Sequence, residues 1–581
     1  MTTPAEAIRA DNEFREPLLP PTQANSNDAD VQTSFIEAVD PVVIESYEPH
    51  VPQDEQSQTR SEASGTEAKC QDPFFAVLFL AQLATVLVLA CLGLQELIAG
   101  NYFDLSQIAT FDISISTDDT SDDPHYEIDT TRFILFHTIV AAGGIGWSFA
   151  ALFVYSAFTQ FMVQISLLVS PTIFFALAIW SLATSSVTLA AILVLFGLFG
   201  AFYAYSVWHR IPFAAANLST AMAAVRNNFG LVFLSFSTVV KTWIWTFAFG
   251  LAALFVYFHT ACYNDCVDSD STNDQHNDPE CETECDHFEI WLLVMLLSYF
   301  WTYGVLKYML HTNVAGVVGS WWFVPAEASA CCSQALCDSM YRTTTYSFGS
   351  ICFGALVLSM TQLLQVVVRR ARQEHDQRHH GRGGSPAGGS ILFCLLECII
   401  RQLQRLVQYV NKWAFVYVGI YGYDYLTAGS KVYRLFQARG WSVILNDVLV
   451  SRGLQIATLL ISVSTGLTSC IMYIVLPGWL DGYAAPSSSA ADTYQALKDV
   501  LANDGNTTGI HRTGFWLAFA TGFGYGALLS SVLLKVVSSA VESVIVCFAQ
   551  HSDALQTNHP KYCEEMRRSW RLVYPEEFGG N

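Results

Sequence analysis

Residues 307–323 read KYMLHTNVAGVVGSWWF. A lysine and a histidine stand one turn apart. No charge follows them as far as Phe323, small residues fall at Ala315, Gly316 and Gly319, and two tryptophans sit near the end. Whether such a run crosses a bilayer or fills a soluble core is decided by its surroundings. Of 581 residues, 52% are hydrophobic and 14% charged, whereas soluble domains carry charge on roughly a quarter of their residues. The composition is that of a membrane protein. The formal charge of −22 is gathered into a few segments, and 29 basic against 51 acidic residues provide no clustered basic face for a nucleic-acid backbone, so nucleic acid is not an expected partner.

Crossing about 30 Å of hydrocarbon takes roughly 20 predominantly apolar helical residues. Nine windows meet that requirement: 73–95, 133–158, 161–183, 186–208, 229–258, 288–312, 346–368, 452–477 and 514–549. A tenth is expected near 391–428, where an amphipathic half precedes an aromatic, apolar one. The expected fold is an all-α membrane protein of about ten transmembrane helices with interfacial amphipathic helices. Residues 1–69 hold fourteen acids, four bases and little apolar periodicity, the pattern of a disordered tail that buries too little apolar surface to offset chain entropy. The first span is expected to start insertion. Residues 70–555 then form the membrane domain, and 556–581 a cytosolic tail.

Lys and Arg near span ends set orientation, while acids carry little topological weight. Residues 99–131 contain eight acids and 260–287 nine, with no Lys or Arg in either. Both loops are therefore assigned to the outer side, and 478–512 joins them by alternation. Arg210, Arg226 and Arg342 place their connections in the cytosol, and ten spans bring both termini inside. The basic run RRARQEHDQRHHGRGG at 369–384 conflicts with simple alternation, which puts it outside, so its side is left open. In the acidic loop, Cys262, Cys266, Cys281 and Cys285 read as disulfides in preference to zinc ligands in an oxidising compartment, with three pairings possible. Asn506-Thr507-Thr508 is a glycosylation sequon in an outer loop.

The chain contains no phosphate-cradling glycine loop, nucleophile elbow or HExxH pair, so neither an enzyme nor a cofactor is expected. GFGYG at 522–526 and AAGGIG at 141–146 lie inside apolar spans and read as small-residue packing faces. Ring-bearing and polar residues at depth supply the candidate site instead. Trp301 stands far from either end of its span, with Tyr299 nearby, Trp245 in the fifth span and Tyr203 in the fourth. Aromatic faces attract an organic cation by about 0.5–2 kcal/mol each. Gln82 and Asn313 are neutral groups able to orient a ligand or to join helices, and Glu542 is an acid within the last span, where a charge is costly unless paired or hydrated. In this reading the opening stretch is the inner end of the sixth span. Lys307 and His311 reach water or partners there, and Trp321 and Trp322 mark the bilayer surface.

Several stretches together resemble one family: RIPFAAANLSTAMAAVRNNFG (210–230), SYFWTYGVLKYMLHTNVAGVVGSWWFVP (298–325), TTTYSFGSICFGALV (343–357), NKWAFVYVGIYGYDYLTAGSKVYRLFQARGWSVILND (411–447) and VESVIVCFAQ (541–550). They are similar to the choline transporter-like family of multispan membrane proteins. The resemblance implies ten spans, cytosolic termini, and transport of choline, or of ethanolamine in some members, by facilitated diffusion or proton-linked exchange. The chain departs from the family pattern at Thr312-Asn313, at Glu542, where Asp or Asn is common, and at Gln550-His551. Choline or a related organic cation and membrane lipids are the expected partners, the plasma membrane is the expected home, and oligomeric state is left open.

Overall fold

The computed structural model describes residues 70–99, 130–184, 186–260, 263–265, 282–284, 288–328, 330, 332–380, 387–439, 441–475 and 509–573. The acidic tail, Cys262, Cys266, Cys281, Cys285 and Asn506 lie outside the described residues, as do most of the outer loops. All described residues belong to one unit beginning at Glu67. In chain order its helices are α1 (Pro73–Ala99), α2 (Thr130–Ala157), α3 (Thr159–Ala183), α4 (Val187–Val207), α5 (Ile211–Asn227), α6 (Gly230–Thr260), α7 (Phe288–Phe323), α8 (Gln334–Thr345), α9 (Phe348–His380), α10 (Ala387–Tyr421), α11 (Tyr425–Arg439), α12 (Trp441–Val475), α13 (Gly509–Gln550), α14 (Ser552–Asn558) and α15 (Pro560–Val573). Between α6 and α7 a short antiparallel pair, β1 (Tyr263–Asp265) and β2 (Glu282–Glu284), aligns Tyr263 with Glu284 and Asp265 with Glu282.

Among the described residues, nine helical segments are long and apolar enough to cross a membrane, and they coincide with the nine windows read from sequence. Helix α10, where a tenth span is expected, is not one of the nine. Its early half carries Glu397, Arg401 and Arg405, which lower its hydropathy, yet its 35 residues extend about 52 Å at 1.5 Å per residue. Side-chain contacts fix its direction. Near its start, Glu397 pairs with Arg369 and Arg372 at the end of α9, both at 3.1 Å. Near its end, Asn411 Nδ2 donates to the Gly354 carbonyl at the start of α9, at 2.8 Å. The two helices therefore run antiparallel, and the basic stretch after Arg369 leaves α9 at the end opposite Phe348. Arg401, at 2.7 Å from Glu397, completes a four-residue ion cluster at that end.

The motif SFGSICFG opens α9 and serves as a junction. Gln71 N–H donates to the Tyr346 carbonyl at 2.8 Å and Ser350 Oγ to Asp72 Oδ2 at 2.7 Å. A side chain at Gly349 would strike the Gln71 and Asp72 carbonyls. These contacts tie the start of α1 to the start of α9. Farther along, the Cys352 carbonyl accepts from the Trp301 indole at 2.9 Å, and a side chain at Gly354 would meet the Phe415 ring at 2.6 Å.

Three segments depart from the sequence reading. Residues 211–227, taken as a cytosolic connection, form α5, whose run from Phe213 to Val225 is buried except Ser219; an Ala-rich helix without a polar face packs on all sides. Part of the expected C-terminal tail folds as α15, where Met566 and Trp570 are fully buried and Trp570 lies against Phe213 and Phe548. Trp321 and Trp322 do not stand at a bilayer surface. Both are fully buried: Trp321 stacks on His559 at 3.9 Å, and Trp322 Nε1 donates to the His551 carbonyl at 3.0 Å. The last carbonyls of α7 lack intrahelical partners, and Asn558 Nδ2 donates to those of Trp322 and Phe323, at 2.9 and 3.1 Å. The C-terminal helices thus cap the end of α7.

Within the opening stretch, Gly316 and Gly419 bring α7 and α10 together. A Cβ at Gly419 would lie 2.5 Å from the Thr312 carbonyl oxygen and 2.9 Å from Ala315 Cβ. Gly419→Val is expected to lower the melting temperature of purified protein, by the roughly 1–3 kcal/mol typical of core overpacking or more. Gly250→Ala, where a Cβ meets nothing within 4 Å, should leave it unchanged or raise it.

Candidate functional site

Helices α7, α10 and α13 run in the same direction, since His311, Lys412 and Ser539 meet at one level and Tyr417 meets Gln550 farther along. Their junction buries Glu542, one of the least accessible ionisable side chains described. Its Oε1 accepts from Lys412 Nζ at 2.7 Å and from Ser538 Oγ at 2.8 Å. Its Oε2 has no hydrogen-bond donor and faces His311 Nε2 at 3.5 Å. A carboxylate taken out of water costs several kcal/mol unless a counter-charge and hydrogen bonds replace the solvent. Lysine from α10 and serine from α13 itself supply both.

His311 is held at both nitrogens. Nε2 lies 2.7 Å from the Lys412 carbonyl oxygen, which only accepts, so Nε2 carries a proton. Nδ1 lies 2.6 Å from Ser539 Oγ. A hydroxyl both donates and accepts, so Ser539 serves the neutral ring as a donor and the doubly protonated ring as an acceptor. The junction can therefore gain a proton at Nδ1 by rotating one hydroxyl. Beside it opens a cavity of about 290 Å³, lined by Lys307, Tyr308 and His311 from α7, by Arg405, Gln408, Tyr409 and Lys412 from α10, and by Lys535 from α13.

The residues singled out in sequence divide among several places. Glu542 is in the junction. Asn313 is close by on α7, but its amide donates to the Met309 carbonyl of its own helix at 2.8 Å. Gln82 joins α1 to α7: Nε2 donates to Thr302 Oγ1 at 3.1 Å, and Oε1 accepts from Ser298. Trp301 is buried between α1 and α9, edge-on to Phe79 at 5.4 Å. Tyr299 and Trp245 share a separate cluster among α1, α6 and α7, with Phe249 between them. Tyr203 lies apart, its ring covered by the Arg452 guanidinium at 4.8 Å. The 290 Å³ cavity is lined by none of these four aromatics. A second cavity of about 730 Å³ between α2 and α13, which includes His137 and Tyr525, is likewise lined by none of them.

Lys412 and Lys535 escaped the sequence reading although a signal was present. Lys535 precedes Glu542 by two helical turns, which places both on one face of α13. Lys412 is the lone charge in NKWAFVYVGIY.

Packed helices of this length, with an ion network sealed at their junction, define a multi-pass membrane protein. The chain belongs to the plasma-membrane choline transporter family, whose model matches residues 191–553. Among its relatives are a protein named PNS1 from Gibberella zeae, 25% identical over 77% of this chain and 74% of its own length, and one named pns1 from Aspergillus fumigatus, 28% identical over 69% and 67%. PNS1 of Saccharomyces cerevisiae is 26% identical over 44% of this chain and 46% of its own.

Two outcomes follow from the junction. Glu542→Gln should destabilise the purified protein by about 3–5 kcal/mol, the cost typical of leaving one buried partner unpaired. The Glu542→Gln, Lys412→Met double variant should then recover part of that loss in thermal melts. His551, just past the end of α13, is held below its ordinary value of 6.5 chiefly by burial, which Asp553 opposes. A depressed folded-state value means that the neutral ring contributes stability above pH 6.5, and that this is lost as pH falls through the folded value. Wild type should therefore lose melting temperature relative to His551→Gln between about pH 7 and 5.

Proposed function

We propose that this chain carries choline, or a related small organic cation such as ethanolamine, across the plasma membrane by facilitated diffusion or proton-linked exchange. The supporting observation is the family match over residues 191–553, which contains α7, α10 and α13 and hence the whole Glu542 junction. Two features favour a carrier over an open pore. The inner half of α13 is the most thoroughly buried of the spans, and the junction seals the bundle with ion pairs instead of water. Alternating exposure requires such a closure to break and re-form. Glu542 and His311 are the proposed switch: proton gain at His311 alters the balance of one carboxylate against several cations.

For the substrate itself, Trp301 and Tyr299 are the first proposed contacts, followed by Trp245, Tyr203 and Gln82. The Trp301 ring meets Phe79 here, so an entering cation displaces α1 or α9 and replaces that edge contact with its own charge against the ring face. Outer loops rich in acids raise the local cation concentration within about a Debye length of 8 Å.

Radiolabelled choline uptake in cells lacking their own carrier is expected to be saturable and to show trans-stimulation in counterflow, which an open pore lacks. Trp301→Leu should raise the half-saturating choline concentration several-fold at unchanged surface expression, as expected from losing a contact of 0.5–2 kcal/mol. Deletion of residues 1–69 should leave uptake intact; its loss together with the tail would favour a scaffold that recruits partners. Surface-located protein without saturable uptake overturns the proposal.

A further inference from the structure

The 290 Å³ cavity beside the junction has the wrong charge for an organic cation. Lys307, Arg405, Lys412 and Lys535 all line it, and no carboxylate does. Glu542 lies behind Lys412, holding that ammonium and Ser538 and attracting Lys535 as well, so a single carboxylate is set against four cations. Four cations around so small a space repel one another in surroundings of low dielectric, and an occupant with several anionic oxygens removes that repulsion.

The depth of the cavity identifies the chemistry further. From Gly514, where the apolar part of α13 begins, to Lys535 the helix rises about 32 Å at 1.5 Å per residue, close to one hydrocarbon thickness of about 30 Å. Arg405 precedes Lys412 by two turns, as Lys535 precedes Glu542. Because α10 and α13 run the same way, the guanidinium and the ammonium share that level. Counted from Gly514, that level coincides with the phosphates of the inner leaflet, while the apolar part of α13 continues to Gln550. Arg405 is exposed, so the cavity is reached from outside the protein. An arginine fork and several lysines on one side of a cavity suit a tetrahedral phosphate, and Gln408 adds an amide donor.

We infer that this cavity binds a phosphate-ester anion, presented either by a lipid headgroup at the inner leaflet or by a soluble phosphate, and that Arg405 and Lys535 are its principal contacts. This inference does not depend on the choline reading, because it concerns an anion held at the membrane border and is read out by binding, not uptake.

The test uses purified full-length chain in a neutral maltoside, at constant ionic strength set with chloride. Its melting temperature is followed while inorganic phosphate or, separately, dioctanoyl phosphatidic acid is added, with dioctanoyl phosphatidylcholine as the lipid without net charge. A saturable rise with both anions assigns the site to phosphate from either source; a rise with phosphatidic acid alone assigns it to the lipid. Arg405→Gln and Lys535→Gln should each raise the half-saturating concentration on the order of tenfold, as loss of a charge-assisted bond does. Arg405 is exposed, so its variant keeps the test sound should Lys535→Gln fail to fold. Arg452→Gln, which removes a cation on α12 outside this cavity, should keep the wild-type value. No saturable rise with either anion, a rise matched by phosphatidylcholine, an unchanged value in Arg405→Gln, or an equal loss in Arg452→Gln would overturn the assignment.

Discussion

The pairing of Glu542 with Lys412 constrains more of this molecule than any other contact. A carboxylate buried on α13 is tolerable only where a cation from another element reaches it with good geometry, and the 2.7 Å contact requires α10 to pass α13 at that level. The same level holds His311 of α7, bonded to the Lys412 carbonyl and to Ser539. Three helices are thereby set in one direction and one register. Once α10 is so placed, the Glu397 cluster and the Asn411 bond fix α9 antiparallel to it. The SFGSICFG junction then carries the constraint on to the start of α1.

Packing is distributed unevenly along the bundle for a related reason. Helices α1, α3, α4 and α6 present large apolar side chains such as Leu80, Ile179, Phe199 and Phe247 to their surroundings, as lipid-facing helices do. Where α7 and α13 finish, α5, α8, α14 and α15 wrap their ends, and side chains replace water as partners for exposed helix termini. Asn558 does this for the end of α7. At the start of α8, Ser333 accepts from the Leu336 N–H while donating to Asn228. Helices that extend past the bilayer need such partners, because each terminus leaves several backbone groups unbonded.

The nine spans were legible because continuous apolar length is a property of sequence alone. Helix α10 was less so: Glu397, Arg401 and Arg405 depress its hydropathy, and the pairing of Glu397 with Arg369 and Arg372 of α9, as well as with Arg401, exists only in three dimensions. Helix α5 was hidden by the opposite effect, since alanines flanked by Arg210 and Arg226 resemble a connection until other helices enclose them. GFGYG was read correctly as a packing face, Gly522 and Gly526 approaching α12 while Gly524 faces open space. Side-chain type showed that Glu542 needs a partner without naming it, and could not tell a ring that awaits a ligand from one already covered. Tyr203 already lies under the Arg452 guanidinium, which a substrate cation reaching that ring has to displace. Trp321 and Trp322 were misplaced because a tryptophan pair at the end of an apolar run looks alike whether lipid or His559 lies beyond it.

Charge then separates two regions of the bundle that sequence alone would merge. Around the junction, Lys307, Arg405, Lys412 and Lys535 raise the local potential, so a permanently charged amine entering that space meets repulsion from four sides. Elsewhere along α7, the cluster of Trp245, Phe249 and Tyr299 with α1 gathers aromatic and aliphatic side chains. Because both regions touch α7, a movement of that helix that opens one alters the other. A cation held by the rings and an anion held by the lysines would thus act on one helix through different chemistry. Tyr299 and Lys307, eight residues apart on α7, project only about 80° apart, so the two regions are separated by their level along the helix, about 12 Å, and by the neighbours met there.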